Sequence, residues 1–270
     1  MTGWGRRRGE RPRRTLRDIL ILVAFALVAG LLLKAFLVSA LFVASRSMTA
    51  TLLPGDFVLV NKLAYAVALP RCLPLLPGRT PILRLVTLSS PRRGDILAFY
   101  GQLESSPPCA APTLIKRCVG LPGDTIDYAA GGIRINSAPV APAMPGTPRE
   151  SVRIVIPRAG ETVPLTARTA PVLRPLIEQG GHTLALEAES RVLLDGRPAQ
   201  EYRTSEDAYF VLGDNTGASI DSRSFGLVPA SRIIGKAFLV YWSRDLKPQG
   251  SAWVNPLAGV RWGRIGALVR

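Results

Sequence analysis

The chain has 270 residues, with 34 Lys and Arg against 19 Asp and Glu, a formal charge of +15, and 47% hydrophobic residues. That composition excludes disorder and a small disulfide scaffold, and the length leaves room for one large domain or two of common size, each able to bury a full core. The single histidine, His182, excludes a zinc site built from two or three histidines, and the three cysteines form no CxxC pair, so neither a zinc ribbon nor a thioredoxin-like redox site is expected.

The charge is concentrated at the start of the chain, where residues 6–17 carry seven arginines and one acid, Glu10. After Asp18 the composition inverts: residues 19–33 read ILILVAFALVAGLLL, and beyond Lys34 the apolar character continues to Ala44. About 20 apolar residues span a bilayer. Residues 19–40 are therefore predicted as a transmembrane anchor, with Lys34 near enough to one end to snorkel. The arginines predict a cytoplasmic tail over residues 1–18 and an exported domain over residues 41–270. An arginine-rich arm can bind nucleic acid, but one joined to an apolar helix is a topogenic signal, so no nucleic-acid partner is expected. A cleavable signal peptide ending at Val38-Ser39-Ala40 is the competing reading.

Beyond the anchor, short β-branched or aromatic runs recur between Gly and Pro breaks: 57–61, 96–100, 114–119, 133–135, 152–156, 192–194, 209–212 and 233–242. Many short strands with turn signals predict a mainly β domain, a barrel or sandwich, and no internal repeat is evident. Val172, Leu173, Leu176 and Ile177 have the spacing of a short amphipathic helix ending at Gly180-Gly181. The Pro-rich stretches 70–77 and 139–148 are predicted loops, the second opening an inserted β-rich subdomain over about residues 127–206. Cys72 and Cys109 lie in loop-like stretches and form one disulfide or remain free thiols, whereas Cys118, in an apolar run, reads as a small core residue.

Three segments outside the insertion can carry chemistry. Ser45-Arg46-Ser47-Met48, just after the anchor and before Pro54-Gly55-Asp56, offers a nucleophile and an oxyanion donor, or merely a polar exit from the membrane. In Ile115-Lys116-Arg117-Cys118-Val119-Gly120-Leu121-Pro122-Gly123-Asp124, a lysine sits within an apolar strand. Buried there it would lose ammonium solvation, and the neutral amine could take the serine proton in place of a histidine, the chain having only His182 to offer. A surface lysine on a strand edge is the alternative. The third segment, residues 213–226, is dense in small polar groups and turn formers, with Asp221 and Arg223 available as a pair, and it reads equally as an elaborate hairpin loop.

Together with Arg93-Gly94-Asp95-Ile96, Gly213-Asp214-Asn215 and the closing Arg261-Trp262-Gly263-Arg264-Ile265-Gly266, these segments resemble, in order and spacing, the conserved boxes of the bacterial type I signal peptidases, membrane-anchored Ser/Lys endopeptidases. Within the insertion, Ile156-Pro157, Gly160-Glu161-Thr162, Leu194-Asp195-Gly196 and Tyr209-Phe210 resemble the larger members. The resemblance implies Ser47 as the nucleophile and Lys116 as its general base, with the Ser47 N–H and Ser45 hydroxyl binding the oxyanion. It further implies that Ser219 orients the lysine, with Asp221 and Arg223 as a supporting pair. Leu41, Val43, Ala44, Met48, Leu52, Leu114 and Ile115 would line small apolar pockets that prefer Ala-x-Ala before the cut. No metal or cofactor is implied. The implied partners are preproteins with signal peptides and the lipid bilayer, and the implied location is the inner membrane, single-pass, with the catalytic domain on the periplasmic side.

The sequence departs from the family pattern at Arg46, where Gly is usual, at Ala50, where Pro is usual, and at Thr216-Gly217-Ala218, where Arg-Asp-Asn is common. The departures bear on substrate range and efficiency more than on reaction type. A dedicated processing protease for one secreted or pilin-like substrate and a non-catalytic membrane-anchored β domain are the alternative functions.

Overall fold

A computed structural model of the chain describes residues 16–32, 37–68, 84–101, 112–129, 132–142, 152–187, 191–246, 257 and 259–270. It opens with helix α1 (Leu16–Leu32) and strands β1 (Val38–Phe42), β2 (Asp56–Asn61), β3 (Ala66–Ala68), β4 (Arg84–Thr87), β5 (Ile96–Tyr100) and β6 (Thr113–Gly120). An excursion follows through β7 (Thr125–Ala129), β8 (Gly132–Ile135), β9 (Ala138–Ala141), β10 (Val152–Val155), β11 (Thr162–Pro164), α2 (Ala170–Gln179), β12 (Leu184–Leu186), β13 (Val192–Leu194), β14 (Arg197–Pro198) and β15 (Glu201–Arg203). The chain returns with β16 (Ala208–Leu212), the short helix α3 (Ser222–Phe225), β17 (Val228–Pro229) and the long β18 (Ile233–Ser243).

A seven-stranded sheet in the order β1-β2-β18-β5-β6-β16-β17 organises the molecule, with every neighbouring pair antiparallel. Its middle strand β5 is buried from Ile96 to Phe99. Ile96 and Ala98 join a core with Met48, Leu52, Val58 and Val240, and Leu97 and Phe99 join a second core with Tyr65, Cys118 and Tyr209. A strand covered on both faces reads as a continuous apolar run, which is why ILAF is legible as a strand without alternation. Residues 259–270 run beside β18, where Val240 N–H donates to Ala267 O (2.9 Å) and Val269 N–H to Phe238 O (2.9 Å).

Between β6 and β16 the chain forms its own sheets, the largest ordered β10-β7-β8-β9. Helix α2 buries Leu173, Leu176 and Ile177, one stripe at helical spacing, against this sheet and against Phe210 and Leu227 of the main body. Pro139 does not lie in a loop as expected but in β9, at the edge of its sheet, where a missing N–H breaks no ladder bond.

The predicted anchor, 19–40, needs correction at its far end. Val38, Ser39 and Ala40 belong to β1 and pair with Asn61, Val60 and Leu59, so their backbone is satisfied by a sheet and not by a helix. Helix α1 covers 17 residues with exposed Leu20, Phe25 and Leu27. Among the described residues no helix is long and apolar enough to cross a membrane. Residues 1–15 of the predicted tail, residues 33–36 of the predicted span, the 70–77 loop, Cys72 and Cys109 lie outside the described residues.

One short device does recur. At 53–56, 92–95, 121–124 and 158–161 the chain makes the same turn, with a glycine in third place at φ of 93, 91, 91 and 82° and an acid in fourth. In each, the acid's carboxylate accepts the N–H three residues back at 2.7–2.9 Å and the acid's own N–H donates to that residue's carbonyl at 3.0–3.1 Å. A positive φ in third place is reached cheaply only by glycine. The turns launch β2, β5, β7 and β11.

Candidate active site

Ser47 sits in the loop between β1 and β2. Thr51 and Leu52 both donate their N–H to Met48 O (2.8 and 2.6 Å), and Met48 and Leu52 plug the core at 1% and 0% exposure, so the turn carrying Ser47 is pinned from below. Lys116 lies in β6, opposite Leu97 of β5. Burial alternates along this strand, with Lys116, Cys118 and Gly120 inside and Arg117 and Val119 partly exposed. Ser47 and Lys116 are each only 4% exposed, and Lys116 Nζ lies 2.6 Å from Ser47 Oγ. Ser45 Oγ is 3.1 Å from Ser47 Oγ.

Burial strips the Lys116 ammonium of water and lowers its pKa from the ordinary 10.5; Asp221 and Asp214 oppose this and are outweighed. A neutral amine within hydrogen-bond reach of a hydroxyl can accept its proton.

The third segment closes over this pair. Asn215 N–H donates to Ser47 O (2.9 Å) and its side-chain amide to Arg46 O (3.1 Å). Asp221 is fully buried and takes two bonds from the Arg223 guanidinium, each 2.8 Å, one from the Arg223 N–H at 3.2 Å, and one from the N–H of Gly213 at 3.0 Å. Burial alone would raise the Asp221 pKa, but these bonds outweigh it and hold the carboxyl below the usual range. Arg223 also donates to Thr216 O (2.7 Å), so the unusual Thr216-Gly217-Ala218 turn is still tied to the pair. Gly213 has no room for a side chain: a Cβ there would stand 2.1 Å from Ser219 Oγ and 2.6 Å from Ser47 O.

The expected bond from Ser219 to Lys116 is not formed. Among the described residues Ser219 Oγ is buried without a hydrogen-bond partner, while Lys116 Nζ is engaged by Ser47.

A family model for signal peptidase, peptidase S26, matches residues 16–242. The chain belongs to the signal peptidase S26 family. The signal peptidase I of Pseudomonas aeruginosa is 31% identical over 226 residues, 79% of this chain and 68% of that protein. That of Buchnera aphidicola subsp. Baizongia pistaciae is 28% identical over 267 residues, 90% of this chain and 80% of that protein. The signal peptidase I of Aquifex aeolicus is 26% identical over 262 residues, 91% of this chain and 92% of that protein.

Two ion-pair clusters brace the peptidase site that sequence reasoning had given no role. Arg117 grips Asp214 through Nε (2.6 Å) and Nη2 (2.7 Å), and Thr51 Oγ1 donates to the same carboxylate (2.5 Å), which ties the serine loop, β6 and the third segment at one point. Arg264 donates to Asp56 Oδ2 (2.5 Å) and to Thr51 O (3.0 Å), and Ser243 Oγ donates to Asp56 Oδ1 (2.6 Å). The signal was present as opposite charges beside apolar strand residues, but nothing local says which partner each takes.

The seven expected pocket residues of the peptidase do not share one wall. Met48 and Leu52 are core residues with no surface to offer, and Val43 is buried beside them. Leu114 packs in the other core, with Phe99 and Tyr209, because it neighbours Ile115 on a strand and adjacent strand residues face opposite ways. Leu41 and Ile115 are partly buried against the Met48 core, and Ala44 is exposed. His182 lies in the excursion, paired with Asp195 at 2.7 Å and stacked edge-on with Tyr202. Cys118 is a buried free thiol, and among the described residues no group of three metal-ligating side chains is placed to hold a metal ion.

Proposed function

We propose that this peptidase removes N-terminal signal peptides from exported preproteins, with Ser47 as nucleophile and Lys116 as general base. The observation that carries the reading is the buried 2.6 Å approach of Lys116 Nζ to Ser47 Oγ. Ser47 Oγ attacks the carbonyl carbon at the cut while its proton passes to Lys116 Nζ. The Ser47 N–H and the Ser45 hydroxyl hold the oxyanion, a contribution of about 3–4 kcal/mol per donor in other hydrolases. Lys116 returns the proton to the departing amine, which leaves an acyl-enzyme. A water then gives its proton to Lys116 and attacks the ester carbonyl, and as the Ser47 C–O bond breaks Lys116 passes that proton to Ser47 Oγ. Ser219 and the Asp221–Arg223 pair keep the lysine's surroundings fixed.

Leu41, Ala44 and Ile115 are the pocket residues with surface to offer outside the second core that Leu114 packs against, and small residues such as Ala-x-Ala before the cut suit them. Helix α1, apolar on every side, and the basic residues before it support an inner-membrane anchor with a cytoplasmic N-terminus, residues 41–270 on the periplasmic side, and residues of about 127–206 as an inserted subdomain.

The test is cleavage of a preprotein by the full chain in detergent, beside Ser47→Ala and Lys116→Ala, with the new N-terminus read by mass spectrometry. A cut after Ala-x-Ala by wild type alone is expected. Cleavage that survives either substitution overturns the dyad.

A further inference from the structure

Three carboxylates stand in or beside the site, and each has its own guanidinium: Asp56 with Arg264, Asp214 with Arg117, and Asp221 with Arg223. With Lys116 neutral, as its role as base requires, these pairs leave Arg46 and Arg261 without a carboxylate partner among the described residues, and Arg261 spends its guanidinium on Pro54 O and Arg244 O, so Arg46 is the one of the two with a solvent-facing charge. Arg46 precedes the nucleophile, is exposed, and makes no ion pair among the described residues. Its main chain is fixed, since Arg46 O accepts from the Asn215 amide (3.1 Å), from Thr49 N–H (3.2 Å) and from Thr49 Oγ1 (2.5 Å). A fixed Cα with an exposed, flexible cationic stem holds a positive charge one residue from the nucleophile while leaving the guanidinium in solvent, where a substrate can meet it.

We infer that Arg46 is a specificity-determining residue that favours substrates with an acidic side chain just after the cut. The inference rests on the Ser/Lys reading. Residues before the cut meet small apolar walls, Leu41, Ala44 and Ile115, where a charge would be desolvated without a partner. A carboxylate after the cut that stays in water can approach the exposed guanidinium and remain hydrated. A lysine in the same place is repelled, and discrimination comes from both terms.

The experiment uses the full chain in an uncharged detergent and three preprotein-derived peptides that differ only at the second residue after the cut: Glu, Gln or Lys. At about 0.05 M salt, kcat/KM for the Glu peptide exceeds that for the Lys peptide by about 3- to 10-fold, and the ratio falls toward one near 0.5 M salt, where the Debye length is only a few ångströms. The ratio collapses in Arg46→Gln, persists in Arg46→Lys and reverses in Arg46→Glu. Equal rates for the Glu and Lys peptides with wild type at low salt, or a ratio unchanged in Arg46→Gln, overturn the inference. Should a variant misfold, the salt response of wild type decides alone. Failure of wild type to cut even the Gln peptide would instead remove the Ser/Lys reading beneath it, an outcome distinct from cleavage without charge preference.

Discussion

Asn215 grips Ser47 by the main chain, its N–H donating to Ser47 O at 2.9 Å while its side-chain amide reaches Arg46 O at 3.1 Å. The two bonds fix the peptide that carries the nucleophile without touching the nucleophile's own oxygen. Asn215→Ala keeps the backbone bond and loses the other. Displacements of about 1 Å cost up to roughly 100-fold in rate, so the variant is expected to lose about 10- to 100-fold in kcat with little change in KM. Steady-state kinetics on a preprotein would check this, and a pure KM effect would count against it.

A lysine base sets the direction of the pH response. Only the neutral amine accepts the Ser47 proton, so activity rises with pH, and burial brings the midpoint below the ordinary 10.5. His182, partly exposed and paired with Asp195 in the excursion, has no part in it. The expected result is a rising kcat/KM profile that is the same in His182→Ala, measured across the alkaline range.

The same burial costs stability. Lys116 has a folded-state pKa below its unfolded one, so between the two values the unfolded chain binds the proton that the native site resists. The cost is fully present below that window and disappears as pH rises through it toward 10.5. Lys116→Met should therefore be inactive yet more stable at neutral pH, by about 2–4 °C in Tm if about 1 kcal/mol is relieved. The gap should close as the pH approaches 10.5. Thermal unfolding of both proteins across pH is the measurement.

Asp56 behaves in the opposite sense. Burial works to raise its pKa, but Arg264, Ser243 and the Leu53 N–H together hold it lower. Its contribution is thus present above 3.8 and is lost as pH falls through the folded value. Asp56→Asn strands Arg264 and loosens the launch of β2, with an expected loss of about 2–4 kcal/mol at neutral pH. Denaturant unfolding should find that difference at pH 7 and find it reduced in strong acid.

The strands and the helix at 170–179 were legible because apolar runs lie between Gly and Pro breaks, whereas Ser47 and Lys116 were singled out by the resemblance of their segments to the family's boxes, the residues alone having left a polar exit and a surface lysine open. Strand order was not. β2 and β5 both pair with β18, far along the chain, and no local pattern records that choice. The braces escaped for the same reason, since Arg117 and Asp214 are 97 residues apart and Arg264 and Asp56 are 208 apart. Strand alternation could have separated Leu114 from Ile115, and the pairing of Val38 with Asn61 shows how an apolar strand can be mistaken for the end of an apolar helix.

Arg264 also orders events in time. A ribosome that has completed β6 has already produced Ser47 and Lys116, yet nearly 150 codons remain before the guanidinium that braces Asp56 and Thr51 and the Val269 side chain that fills the Met48 core. The nascent chain thus carries both reacting groups well before it carries their frame.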